Sequence, residues 1–354
     1  MSMEKITFIL EQHTPMLHFQ PLQDDAGLRA SEVKPRFDRW LVDNVWRENF
    51  HNCKRYLKGY NADKEDDWEE KFVAGYRALN YRMKIECEED RSSSLQMKRV
   101  PTDKYTEIYG QQLRLETTGP YPHNRQSIIM SNIGGRLPDN VVNFRLYGAV
   151  KVIVWTEDST LAGIIKERFE EFVMSVNFGN RKSKGFGSFA VSKIDNKKVD
   201  GYDVNAPWIL FFNLKPRGNK GFLKEDEAYR DLFVLIGVFW RYLKKTYSGT
   251  KQKKSVLLGR HLKAGLPDLN TAPRIPSPII FKPIIIEKNP ACWQMAIQLL
   301  YDKDIIAKAC VSGTTKEYDR YIMDVDLGSI KSTSQKFLIN KLMDLSKLSN
   351  EELD

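Results

Sequence analysis

The chain has 354 residues and carries 55 Lys and Arg against 46 Asp and Glu, a formal net charge of +9. Its 42% apolar content is that of a globular protein long enough for two domains, and 18 Phe, 15 Tyr and 7 Trp exclude a chain that cannot collapse. The longest apolar run, Leu232–Trp240, is too short to cross a bilayer. No secretory leader is expected, and Cys53, Cys87, Cys292 and Cys310 lack metal or disulfide spacing, so a cytoplasmic protein is expected.

Lys5–Leu10 (KITFIL) predicts a strand, followed by a loop through Pro15, Pro21 and Gly27. Val33, Phe37, Trp40, Leu41 and Val45 recur at helical spacing and predict a helix opening near Ser31, with Pro35 in its first turn and Arg36 and Arg39 off the apolar stripe. Trp68, Phe72, Tyr76 and Leu79 predict a second helix over residues 68–84. Residues 91–145 read as irregular apart from a short strand at Ser127–Ile133, and Phe144–Trp155 reads as one strand with a β-branched run.

Leu161, Ile164, Ile165, Phe169, Phe172, Val173 and Val176 form one stripe, with Asp158 or Ser159 placed to cap the helix. A basic glycine loop (Phe178–Gly187) and a strand (Ser188–Ile194) follow. The second half predicts a strand at Ile209–Leu214, a largely buried helix at Glu225–Lys245, paired strands at Ser277–Glu287 and Trp293–Tyr301, and a helix at Thr333–Leu348.

The order strand, helix, two strands, helix, strand is that of a ferredoxin-like fold. The expected class is α+β, with tandem ferredoxin-like or RRM-like domains. The first spans 1–200 with an insertion at about 53–143 and its glycine loop at 178–187; the second, also α+β, spans 201–354.

A basic protein is biased toward polyanions. Bases gather in Arg241–Lys263, a window without an acid and interleaved with Tyr242, Tyr247 and His261. Phosphate neutralisation with stacking needs this mixture, and a solvated helix end with a flexible loop has it too. The sharpest feature is Asn180–Gly187 (NRKSKGFG). Glycines on either side of Phe186 allow close backbone approach and positive φ, and Arg181, Lys182 and Lys184 can neutralise phosphates beside a nest of N–H groups. It is neither a Walker loop nor a Rossmann fingerprint, because it runs into a strand. The plain structural alternative is a basic hairpin-like loop with glycines for turn geometry.

The segment Lys5–Leu41, with Thr14-Pro15 after the strand and Leu28–Trp40 (LRASEVKPRFDRW) opening the helix, resembles the RAMP superfamily of CRISPR systems when taken with the loop Arg181–Phe189. Arg274–Lys282 (RIPSPIIFK) is similar to a segment of type III RAMP subunits. Within the superfamily the resemblance is nearest to the family of first-numbered RAMP subunits of the Cmr (type III-B) complex. It implies an RRM-like, non-catalytic subunit of an antiviral effector complex, partnered by CRISPR RNA or target RNA and by other effector subunits, with no cofactor, metal or membrane.

By position, the resemblance implies RNA-backbone contacts from Arg29, Ser31, Lys34, Arg36 and Arg39 on the first helix. In the loop it implies the same for Arg181, Lys182, Ser183, Lys184, Gly185, Phe186 and Gly187. A helix N-terminus and a glycine loop do supply N–H donors, and Arg and Lys supply charge. An RNP1-like aromatic strand is missing, so base stacking on sheet aromatics is not expected.

The alternative is a RAMP-type endoribonuclease cleaving target or precursor CRISPR RNA. Its candidates are Asp24 and Asp25 in the loop after the first strand, where a carboxylate helps position a metal and the 2′-hydroxyl, and His13 and His18 (with His51 further along) as acid or base. Ordinary polar loop residues would look the same.

Overall fold

Alternation builds the first sheet. In β1 (Glu4–Gln12), Ile6, Phe8 and Leu10 are buried while Lys5 and Glu11 are exposed, so every second side chain turns to one face. β5 (Val150–Thr156) answers it, with Val154, Val152 and Val150 opposite Ile6, Phe8 and Leu10. The computed structural model describes residues 3–16, 27–88, 93–98, 141–180, 182–199, 209–214, 221–225, 228–229, 232–233, 236 and 279–301. The chain divides into two units: Met1–Ser94 with Phe144–Asn180 and Gly187–Tyr202, and Leu95–Asn143 with Arg181–Phe186 and Asp203–Asp354.

The first unit holds a five-stranded antiparallel sheet in the order β2-β5-β1-β6-β7, where β2 is Arg82–Cys87, β6 Phe189–Ile194 and β7 Lys197–Lys198. The helices α1 (Ala30–Asn44) and α4 (Ser159–Ser175) cover one face of it. Phe8 of β1 meets Phe169 of α4 at 4.3 Å between ring centroids, and Phe37 of α1 meets Phe169 at 5.1 Å and Phe172 at 4.9 Å. Burying each such ring removes it from water at a gain of about 1.5–3 kcal/mol. Asp158 caps α4, its side chain accepting from Leu161 N–H at 2.9 Å. Between α1 and β2 lie α2 (Phe50–Cys53) and α3 (Glu65–Val73), which carry Phe50 and Phe72 into the same core.

In the second unit β8 (Ile209–Leu214), β9 (Ile279–Asn289) and β10 (Cys292–Tyr301) form an antiparallel sheet in the order β8-β10-β9. Glu225, Ala228, Tyr229, Leu232, Phe233 and Ile236 are helical, and all but Glu225 are buried. That spacing turns one helical face inward. The strands β3 (Ser93–Lys98) and β4 (Val141–Leu146) pair in a separate two-stranded sheet.

Several expectations are corrected. The helix expected over 68–84 ends at Val73, because Gly75 takes φ +102°, and Arg82–Cys87 is instead strand β2. The second strand of the main sheet is therefore β2, which lies within the stretch 53–143. The stretch 91–145 is not irregular throughout, since it contains β3 and most of β4, and Phe144–Trp155 is two strands interrupted at Tyr147–Ala149. Because α1 opens at Ala30, Pro35 falls past the first turn, where its missing N–H withdraws one helical hydrogen bond. The expectations at Ser127–Ile133, Arg241–Lys263 and Thr333–Leu348 lie outside the described residues.

Candidate nucleic-acid interface

The first turn of α1 is built by its backbone. Arg29 is the N-cap, with extended φ −121° and ψ 141°, and its carbonyl accepts from Glu32 and Val33 N–H at 3.0 and 3.1 Å. Its side chain does not cap the helix and is exposed, as are those of Ser31, Pro35 and Arg39. Among the described residues neither Arg29 nor Arg39 has a carboxylate partner. These side chains make a solvent-facing basic stripe on the side of α1 opposite Phe37.

Lys34 and Arg36 do different work. Lys34 Nζ lies 2.6 Å from Asp38 Oδ2, donates to the Leu79 carbonyl at 3.1 Å and sits 4.1 Å above the Tyr81 ring. Asp38 also accepts from Leu79 N–H at 3.2 Å. Burial pushes the Asp38 carboxyl above its ordinary range despite the Lys34 charge, and burial beside that carboxylate holds the Tyr81 hydroxyl well above its own. Arg36 Nη1 donates to the Asn177 carbonyl at 2.9 Å, and its guanidinium lies 4.9 Å from the Phe178 ring centroid. Glu32 Oε1 accepts from Gly179 N–H at 2.6 Å. Glu32 and Arg36, one helical turn apart, thus clamp α1 to the start of the glycine loop.

The base of that loop is gripped by the segment after β1. Ser188 O accepts from His13 and Thr14 N–H at 2.9 and 3.4 Å, Ser188 N–H donates to Thr14 Oγ1 at 2.9 Å, and Gly187 N–H donates to the Pro15 carbonyl at 2.9 Å. Gly187 also accepts from Phe178 N–H at 2.8 Å. At φ +68°, a Cβ on Gly187 would stand 2.0 Å from the Phe178 carbonyl oxygen, so only glycine fits. The Thr14-Pro15 pair therefore has a mechanical task, closing the loop's neck.

The loop's tip, residues 181–186, belongs to the second unit. Ser183 O accepts from Phe281 N–H at 3.3 Å, and Lys184 forms an isolated parallel bridge with Phe281. Phe186 is 1% exposed and stacks on Phe233 at 4.0 Å. Gly185, at φ +84°, leaves room for Ile236 and Pro283, whose atoms would lie 2.7 and 3.0 Å from an added Cβ. Lys182, Ser183 and Lys184 are half-buried. Gly185, Phe186 and Gly187 are thus shape and anchor, and the loop side chains left at the surface are Lys182, Ser183 and Lys184. Arg181 lies outside the described residues.

His13 is 1% exposed. His51 is exposed and its Nδ1 lies 3.5 Å from Glu65 Oε1. His18, Asp24 and Asp25 lie outside the described residues. Among the described residues no three His, Cys, Asp or Glu side chains gather as metal ligands, and no helix is long and apolar enough to cross a membrane. Sequence reasoning missed Glu32 and Asn177. Their signal was faint, an acid one turn before Arg36 and a polar residue just ahead of the loop.

The sequence model described as the Cmr1 N-terminal domain matches residues 3–247. Among curated proteins none matches the chain. Among solved structures, a chain of the Type III-B Cmr-beta complex bound to cognate target RNA is similar at TM-score 0.32 and 10% identity, over 55% of this chain and 61% of that one. This chain thus spans less than two thirds of that relative. Cmr1 from Pyrococcus furiosus, in its apo form, is similar at TM-score 0.31 and 11% identity, over 85% of this chain and 89% of its own. A chain of Cmr-beta bound to cognate target RNA and AMPPnP, in the presence of ssDNA, gives TM-score 0.36 and 11% identity over 90% and 99%. Likenesses this distant leave the sequence-family match as the stronger finding.

Proposed function

The chain belongs to the Cmr1 N-terminal domain family, and from that premise we propose that it is an RNA-holding subunit of a type III-B (Cmr) CRISPR effector complex. Its partners are CRISPR RNA or target RNA and the neighbouring subunits of that complex. The first unit, with strand order β2-β5-β1-β6 and α1 and α4 on one face, is read as a ferredoxin-like domain. The second unit is read as another α+β domain of the same kind.

The observation that carries the reading is the exposed stripe on α1. Arg29 and Arg39 face solvent without a carboxylate partner among the described residues, on a chain of net charge +9. Ser31, in the first turn, adds a hydroxyl beside the helix N-terminus, where anions are favoured. In the second unit, Lys182, Ser183 and Lys184 are read by themselves as candidate phosphate contacts. Lys34 and Arg36 support the interface from within, Lys34 by holding Asp38 and Arg36 by fixing the turn at Asn177–Phe178. Contacts of this kind go to phosphates and hold RNA without reading its sequence.

The test is Arg29→Glu with Arg39→Glu in the full chain, read by fluorescence anisotropy of a single-stranded RNA. Binding at least tenfold weaker, with unchanged thermal unfolding, is the expected result. Affinity equal to wild type would overturn the assignment of α1.

A further inference from the structure

The sheet of the first unit has a second face, and among the described residues no helix packs on it. Its side chains alternate with the core residues and lie in cross-strand rows. Arg82, Trp155 and Lys5 stand side by side on β2, β5 and β1; next come Lys84, Ile153 and Thr7; then Glu86, Lys151, Ile9, Lys193 and Lys198, the last two on β6 and β7. Neither Trp155 nor Ile153 belongs to the hydrophobic core that α1 and α4 cover; Ile153 is nonetheless buried, 6% exposed, and Trp155 is half-buried.

The charge on this face is unbalanced. Glu86 is engaged by Lys84 at 2.6 Å and reached by Lys151 at 4.0 Å. Lys5, Arg82, Lys193 and Lys198 are exposed and have no carboxylate within ion-pair distance among the described residues. Glu11 is a further acid on the face. Lys193 and Lys198 are direct cross-strand partners. Like charges placed opposite one another destabilise a sheet, so this pair costs stability that a bound anion would return.

We propose that this sheet face is a second RNA-binding surface, distinct from the α1 stripe, on which single-stranded RNA lies with phosphates on Lys5, Arg82, Lys193 and Lys198 and a base stacked on Trp155. Charge complementarity selects a polyanion. The ring flanked by Arg82 and Lys5 selects one with unstacked bases, because an aromatic platform between cations holds a nucleobase by its face. The inference rests on the reading of the chain as an RNA-binding subunit for its choice of RNA. It departs from the sequence expectation, which found no aromatic strand of the RNP1 kind. Trp155 stands at the end of β5, and the pairing of β5 with β1 and β2 sets it between Lys5 and Arg82.

The experiment compares the full chain with three variants: Lys193→Glu/Lys198→Glu, Trp155→Ala, and Arg29→Glu/Arg39→Glu. Each is titrated with single-stranded RNA and with the same RNA as a duplex, and each is checked by thermal unfolding. The expected result is a loss of tenfold or more in single-strand affinity for the lysine variant, with Tm near wild type because one like-charge pair replaces another. Trp155→Ala is expected to lose at least fivefold on the single strand and little on the duplex, and Trp155→Phe to recover part of the loss. Both sheet variants binding like wild type, while the α1 variant is weakened, would overturn this proposal and leave the α1 reading standing. A wild type that binds no RNA would overturn both. RNA binding unchanged in the sheet variants, with a protein subunit lost from the purified complex instead, would make the face a protein interface and also overturn the proposal.

Discussion

At the residue scale, the glycine loop separates residues that shape from residues that touch. Gly187→Ala forces a methyl to within 2.0 Å of the Phe178 carbonyl oxygen at φ +68°. It is predicted to cost at least about 2 kcal/mol in urea unfolding, the sum of backbone strain and displaced packing. Phe186→Ala empties the place of a ring 1% exposed and stacked on Phe233, with an expected loss of about 3–5 kcal/mol. Lys182→Ala and Lys184→Ala are predicted to lower RNA affinity. Two aspartates give opposite pH signatures. Partial burial raises the Asp195 pKa, but the Lys166 ammonium at 2.5 Å and Thr7 N–H at 2.9 Å outweigh it and hold the carboxyl below its ordinary value. Asp195 therefore adds stability above its unfolded pKa and loses it as pH falls through the folded one. Asp38, raised by burial, adds stability below its unfolded pKa and loses it as pH rises through the folded one. Asp195→Asn is predicted to flatten the fall of Tm between about pH 5 and pH 2; a fall as steep as wild type would show that the Lys166 pairing is not felt.

At the scale of elements, α4 and the β6–β7 hairpin show what local chemistry fixes. Asp158→Ala removes the side-chain bond to Leu161 N–H and is predicted to cost about 1 kcal/mol in chemical denaturation. The hairpin turns on Asp195 and Asn196, both at positive φ (47° and 66°), the two-residue geometry that matches strand twist. Periodicity revealed α1, α4, β1, β6, β8 and the β9–β10 pair, because each has an apolar face long enough to dominate its neighbours. β2 was missed because Met83 also extends the helical spacing of Trp68, Phe72, Tyr76 and Leu79, although Met83, Ile85 and Cys87 alternate with Arg82, Lys84 and Glu86 at strand spacing. The two-residue strand β7 is too short to show a period. The basic stripe of α1 was legible as Arg and Lys off the apolar face. The inward turn of Lys34 was not, since it depends on Asp38 meeting Leu79 and Tyr81 from 41 or more positions along the chain.

At the scale of the whole molecule, the chain carries an excess of bases, several of them exposed on α1 and on the first sheet, and the family match places such a chain among Cmr1 proteins. The central claim is that these surfaces hold RNA by its phosphates, and it is tested most directly by the salt dependence of RNA binding by the full chain. The account predicts a linear fall of log K with log salt, about 0.7 in slope for each phosphate neutralised, and a slope shallower by about 1.4 in the Arg29→Glu/Arg39→Glu variant. An affinity that stays level as salt rises, or a variant with the slope of wild type, would contradict it.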